Sequence, residues 1–145
     1  MSHDNFPDRV PPQPGLKGVL DALKYGPDGL VTVVAQDART GEVLMLAHAN
    51  REAVEKTLTS GLMHYYSRSR RKMWLKGEES GHVQKLVSLA VDCDGDALLA
   101  KVRQVKGACH LGFRSCFAFR IAKDGKTKVV GRKVFDPGKT YGKKG

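Results

Sequence analysis

Three aspartates alternate with a cysteine and a glycine in the stretch AVDCDGD, residues 90–96. In an extended chain successive side chains point to opposite faces. Asp92, Asp94 and Asp96 are therefore predicted to share one face, with Cys93 on the other beside Leu89 and Val91. Three carboxylates on one face repel one another unless a cation or solvent screens them. A donor set made only of oxygens suits Mg2+ or Ca2+, although an exposed acidic turn accounts for the spacing equally well. An EF-hand does not fit. Counted from Asp92, its sixth and twelfth positions hold Ala97 and Arg103, where that loop needs Gly and Glu.

The other donors are soft. Cys93 is joined by Cys109, His110 and Cys116 in GACHLGFRSCFAF, and the chain has three cysteines in all. Thiolates select zinc over magnesium. Three of them leave a fourth position for a histidine, which closes the site, or for a water, which opens it to catalysis. The six residues between Cys109 and Cys116 exceed the spacing of a plain zinc knuckle. Three unrelated buried thiols also account for the pattern. An odd cysteine count in a chain whose first residues lack an apolar signal core argues against a disulfide framework. His110 is open to three readings: ligand, proton-transfer group or surface histidine.

Charge supplies a third feature. The net charge is +10, and Lys123–Gly145 alone carries eight Lys/Arg against two Asp. A second basic cluster, Arg68, Arg70, Arg71, Lys72 and Lys76, lies in SRSRRKMWLK. Such clusters attract phosphate, whether on nucleic acid or on a small substrate.

These residues need elements to hold them. At 145 residues and 41% hydrophobic, the chain fits one soluble globular domain, and no apolar run approaches the ~18 residues of a membrane span. A cytoplasmic location is expected. Leu16, Val19, Leu20 and Leu23 have helical spacing that ends at Gly26-Pro27, and Asn50 is placed to cap a second short helix that stops at Gly61. LVTVVAQD and EVLMLAH read as a hairpin through Thr40-Gly41, LMHYYSRS as a strand and GEESG as a loop. HVQKLVSLAVDC and ALLAKVRQV read as a pair broken at Asp94-Gly95, and SCFAFRIAK pairs with TKVVGRKVF across Asp124-Gly125. The expected class is α+β, a mostly antiparallel sheet with two short helices in a single domain over residues 16–135. Residues 1–15 are expected to be an extended lead-in and 136–145 a basic flexible tail.

Together these segments resemble phosphoribosyl-AMP cyclohydrolase, an enzyme family of histidine biosynthesis. The resemblance runs from about Leu30 to Phe117 through VTVVAQDARTGEVLMLAHANREAVEKTL, HYYSRSRRKMWLKGEESGHVQKLV, VDCDGDALLAKV and ACHLGFRSCF. It implies hydrolytic opening of the adenine ring of 1-(5-phosphoribosyl)-AMP at the N1–C6 bond. It further implies a homodimer with active sites at the interface. One Zn2+ per subunit would be held by Cys93, Cys109 and Cys116 drawn from both chains, and Mg2+ by Asp92, Asp94 and Asp96. Ser67, Arg68, Ser69 and Arg70 match the phosphate-binding motif. Trp74 is a candidate for stacking on the base, and Lys76 and Ser80 for other substrate contacts. His110, His82 and Glu78 are the candidates for proton transfer or its support.

The chain departs from the family's usual pattern at Leu111, Phe113, His48 and Tyr66, none of them an expected metal ligand. Two other readings compete: a basic, zinc-stabilised nucleic-acid-binding module, resting on the charge, and a hydrolase of another purine nucleotide, resting on Leu111 and Phe113. The absence of an aromatic-rich RNA-binding signature weighs against the first. Some members of the family carry a fused phosphoribosyl-ATP pyrophosphatase; at 145 residues no such second domain is expected in this sequence.

Overall fold

The computed structural model describes residues 5–141. Its centre is a four-stranded sheet made from two hairpins. Val31–Asp37 (β1) pairs antiparallel with Val43–Ala49 (β2), and Gln84–Val91 (β5) pairs antiparallel with Ala97–Gln104 (β6). The hairpins join through a parallel β1–β6 pair, from Thr32 opposite Ala97 to Asp37 opposite Val102, giving the order β2-β1-β6-β5. Both hairpins follow from the local pattern. Their parallel junction does not, because it unites segments some 65 residues apart and side-chain alternation carries no sign of strand direction.

Alternation in β1 buries Val31, Val33, Ala35 and Asp37 on one face. Leu98, Ala100 and Val102 of β6 extend that face, and Leu20, Ala53 and Val54 from two helices, with Leu23 just past the first, pack in the same core. These are Gly15–Ala22 (α2) and Arg51–Ser60 (α3), the two helices expected from the sequence. Asn50 caps α3 by accepting the Ala53 amide at 2.9 Å, a contact worth about 1 kcal/mol, and Gly61 closes it with its N–H on the Thr57 carbonyl. Two one-turn helices were not expected. Phe6–Arg9 (α1) begins with Pro7 in its first turn, and Pro137–Thr140 (α4) has Pro137 behind the cap residue Asp136. The expected extended lead-in thus contains α1. The described part of the expected tail is α4 and Tyr141, while residues 142–145 lie outside the described residues.

Two small hairpins complete the chain. His64–Ser67 (β3) pairs with Lys72–Leu75 (β4), so SRSRRK is a hairpin turn with its ends matched at Ser67 and Lys72. The sequence reading found β3 but not β4, whose four residues are too few to establish a period. Phe119–Ile121 (β7) pairs with Thr127–Val129 (β8) across Asp124-Gly125, with every strand residue exposed.

A buried polar network locks β3 to the main sheet. The Tyr65 hydroxyl donates to Gln84 Oε1 at 2.6 Å, and Gln84 Nε2 donates to Gln104 Oε1 at 2.8 Å. Gln104 Nε2 then donates to the carbonyls of His82 and Val105 at 3.1 and 3.0 Å. Every polar group of Gln84 and Gln104 is thereby engaged in the interior, as burial requires.

Candidate active site

The turn between β3 and β4 carries the basic motif. The Ser67 hydroxyl accepts the Arg70 amide at 3.2 Å, and Arg71 adopts a left-handed φ of 53°. This tight turn projects the Arg68, Ser69 and Arg70 side chains to solvent. Ser67, Arg68, Ser69 and Arg70 line an open cavity of about 620 Å3, with His48 on its β2 wall. Burial and the charge of Arg68 hold the His48 imidazole below its usual pKa, so it is neutral near pH 7. In the sequence His48 was only a departure from the family pattern; the β2–β3 contact makes it part of the cavity.

A second cavity, about 360 Å3, adjoins the first, and Arg70 and Trp74 line both. Lys76, Glu78, Ser80, His110 and Cys116 also line it. Seven expected site residues from two sequence segments therefore meet around one space. The segment from Lys76 to His82 is held tightly at its base. A Cβ on Gly77, whose φ is 85°, would lie 2.5 Å from the His82 carbonyl carbon, so only glycine allows that approach.

The cysteine loop shapes the far wall. The Ala108 amide bonds to the Arg114 carbonyl and the Cys109 amide to that of Phe113, closing a narrow loop. The Leu111 amide points at Cys109 Sγ at 3.4 Å, and the Cys116 amide ties the loop to Leu44 on β2 at 2.7 Å. Cys109 and Cys116 lie close enough to interact: burial first, and Cys109 next, push the Cys116 thiol up to about 11. Lys76 stands beside them, with Nζ donating to the Ala108 carbonyl at 2.6 Å. Burial lowers its pKa, against the opposing pull of the two sulfurs. A pair of adjacent thiols next to a solvent-accessible cavity fits a soft cation, which would displace their protons.

His82 does not line this cavity. It is 6% exposed, with its ring edge-on to Phe135 at 4.4 Å, and Nδ1 has no hydrogen-bond partner among the described residues. Burial, then the charges of Lys106 and Lys76, keep it neutral.

The aspartates stand elsewhere, and their geometry corrects the alternation argument. β5 ends at Val91 and β6 begins at Ala97, so Asp92–Asp96 is a turn and not extended chain. Asp92 folds its carboxylate back to accept the amides of Asp96 and Ala97, which is incompatible with strand alternation. The three carboxylates nonetheless converge, with oxygens within 4.8 Å of one another, an arrangement that could hold a metal ion. The adjacent Asp92 carboxylate first, then burial and the charge of Asp94, raise the Asp96 pKa. At Asp92 burial works upward, but Asp96 and three backbone amides outweigh it and the pKa falls. Cys93 sits exposed in the same turn, its carbonyl accepting the Phe6 amide.

Cys93 thus precedes β6 while Cys109 follows it. The eight residues of β6, at a rise of about 3.3 Å each, separate the two on the order of 20 Å. One chain brings together Cys109 and Cys116 and leaves Cys93 at the opposite end of the hairpin.

Residues 45–118 match the family model described as phosphoribosyl-AMP cyclohydrolase. The chain belongs to that family. A phosphoribosyl-AMP cyclohydrolase of Methanococcoides burtonii is 57% identical over 122 residues, 84% of this chain and 98% of the relative. One from Pelotomaculum thermopropionicum is 54% identical over 86% of this chain and 97% of its own length, and one from Rhodopseudomonas palustris 51% over 88% and 90%. The matched segment runs from β2 to just beyond Cys116 and so contains both cavities' expected residues and the acidic turn. It stops short of Tyr141, which lines the second cavity and which the sequence reading placed in a flexible tail. The signal for its return was the helix start Asp136-Pro137.

Proposed function

We infer that the protein hydrolyses the N1–C6 bond of the adenine ring of 1-(5-phosphoribosyl)-AMP, a step of histidine biosynthesis, in the cytoplasm. The observation that carries this reading is the meeting of the family's motifs around two joined cavities, one basic and one bordered by Cys116 and His110.

The substrate has two phosphate groups, and the β3–β4 turn offers hydroxyls and guanidinium groups that bind phosphate in forked pairs. Ser67, Arg68, Ser69 and Arg70 take that part. Trp74, shared by both cavities, offers its ring to the base. Lys76 and Ser80 supply donors to the substrate's oxygens. Water oxygen adds to C6, the N1–C6 bond breaks, and N1 leaves with a proton. His110, exposed on the cavity wall, delivers that proton. Glu78, on the same wall, orients the exchange, and buried His82 supports the floor beneath it.

Cys93, Cys109 and Cys116 would hold zinc, which when bound supplies Lewis acidity and a water acidified to a pKa near 7. Since β6 keeps Cys93 apart from the other two, its thiolate reaches them from a second copy of the chain, with one zinc per subunit. The exposed Phe117, Phe119, Ile121 and Val129 give such a homodimer apolar surface to cover. Asp92, Asp94 and Asp96 would hold Mg2+, an ion suited to carboxylates.

Purified protein supplied with phosphoribosyl-AMP, Zn2+ and Mg2+ is expected to open the ring, followed by ultraviolet absorbance, with about one zinc per subunit by elemental analysis. Zinc-loaded protein without turnover would overturn the assignment.

A further inference from the structure

The segment after β8 folds back over the cysteine loop and brings Tyr141 to the cavity. The Arg114 amide donates to the Arg132 carbonyl at 2.8 Å, and the Val134 amide donates to the Gly112 carbonyl, also at 2.8 Å. Gly112 permits the close passage: its φ is 100°, and a Cβ there would lie 2.6 Å from the Phe135 carbonyl oxygen. Asp136 then caps α4 by accepting the Gly138 amide at 2.9 Å, and the Tyr141 amide closes the turn on Pro137. Three aromatic rings stack in sequence from the interior outward. His82 meets Phe135 at 4.4 Å, and Phe135 meets Tyr141 at 6.2 Å, both edge-on. The outermost ring, Tyr141, lines the same cavity as Trp74, Lys76, Glu78, His110 and Cys116.

We propose that the segment 132–141 forms a wall of the nucleotide cavity and that Tyr141 is a substrate-binding residue whose ring packs on the purine nucleotide. Tyr141 and Trp74 are the two aromatic residues lining this cavity, and purine rings bind by their faces to such side chains. Phe135 is a positioning residue. It sets the Tyr141 ring by resting on His82, which is itself fixed by burial and by its carbonyl bond to Gln104. Tyr141 has this substrate only if the ring-opening activity holds.

The test compares Tyr141→Ala, Tyr141→Leu, Tyr141→Phe and Phe135→Leu with the wild type, using the control Lys56→Ala on the exposed face of α3. Two readouts are taken: KM and kcat for phosphoribosyl-AMP, and binding of AMP followed by fluorescence of Trp74, the chain's single tryptophan. Loss of one base–aromatic contact is expected to raise KM and the AMP Kd about tenfold in Tyr141→Ala and Tyr141→Leu, with kcat within about threefold. Lys56→Ala should match the wild type, Tyr141→Phe, which keeps the ring, should raise KM and Kd less than Tyr141→Leu, and Phe135→Leu should fall between Tyr141→Leu and the wild type. Tyr141→Leu preserves apolar packing on Phe135, so its KM rise at an unchanged melting temperature separates binding from folding. KM and Kd within twofold of wild type in both Tyr141→Ala and Tyr141→Leu would overturn the proposal. AMP binding that depends on Tyr141 in a wild-type protein without turnover would instead overturn the reaction and leave the binding role standing.

Discussion

His110 is the residue whose chemistry is most exposed to test. It stands on the cavity wall with Cys116, and in the proposed reaction the departing N1 needs a proton that thiolates holding a metal would not provide. His110→Ala is expected to lower kcat by a factor of about 10²–10⁴ with little change in KM, the usual cost of losing a positioned proton donor. Steady-state kinetics decide it, and full turnover would exclude His110 from proton transfer. The sequence nominated His110, His82 and Glu78 alike. Folding separates them, since His110 and Glu78 reach the cavity while His82 lies under Phe135 with a neutral ring.

At the scale of elements, the cysteine loop is anchored to the sheet by one ion pair. Asp37, the last residue of β1 and 4% exposed, lies 3.1 Å from the Arg114 guanidinium. Arg114 also donates to the Gln104 carbonyl at 2.9 Å and to that of Lys106, spanning the end of β6 and the loop that carries Cys109. Burial alone would push the Asp37 carboxyl up. The Thr40 hydroxyl and amide, with Arg114, outweigh it and hold the carboxyl below its ordinary 3.8. A depressed folded pKa means stability that is fully present above the unfolded value and lost as pH falls through the folded one. Asp37→Asn is therefore expected to cost about 3 kcal/mol at pH 7 by urea unfolding, the lower range for breaking a buried pair. The gap from wild type should hold steady down to about pH 5 and narrow only below about pH 4. A gap that persists undiminished at pH 2–3 would show that the carboxylate charge is not what holds the loop.

The whole molecule poses the question of how three cysteines would share the proposed zinc ion. Cys93 is tied to the N-terminal segment through Phe6, whereas Cys109 and Cys116 hang from the other end of β6 and from β2. Cys93→Ser and Cys109→Ser proteins are each expected to be inactive. Mixed and re-equilibrated, they should regain roughly a quarter of wild-type activity, since half the dimers are mixed and each mixed dimer has one complete cysteine set. No recovery, in a mixture shown by tagged subunits to have exchanged chains, would mean that each site draws on a single chain.

Much of this protein was legible locally. Both central hairpins, α2 and α3 follow from alternation, helical spacing and caps, because those signals lie within a few residues of one another. The nature of the donors was also legible, hard at Asp92, Asp94 and Asp96 and soft at the cysteines, since ligand softness is a property of the side chain itself. Position was not. Side-chain alternation had put the aspartates and Cys93 on opposite faces of a strand; the hairpin register makes the stretch a turn in which Asp92 binds its own backbone. Only the parallel pairing of β1 with β6 fixes where the loop after β6 sits, and only the return of the chain past Gly112 brings Tyr141 to the cavity. Residue types and short spacings determine what chemistry is available. Which groups meet depends on contacts between distant segments, whose energies come from burial and packing of the entire core and leave no periodic mark in the sequence.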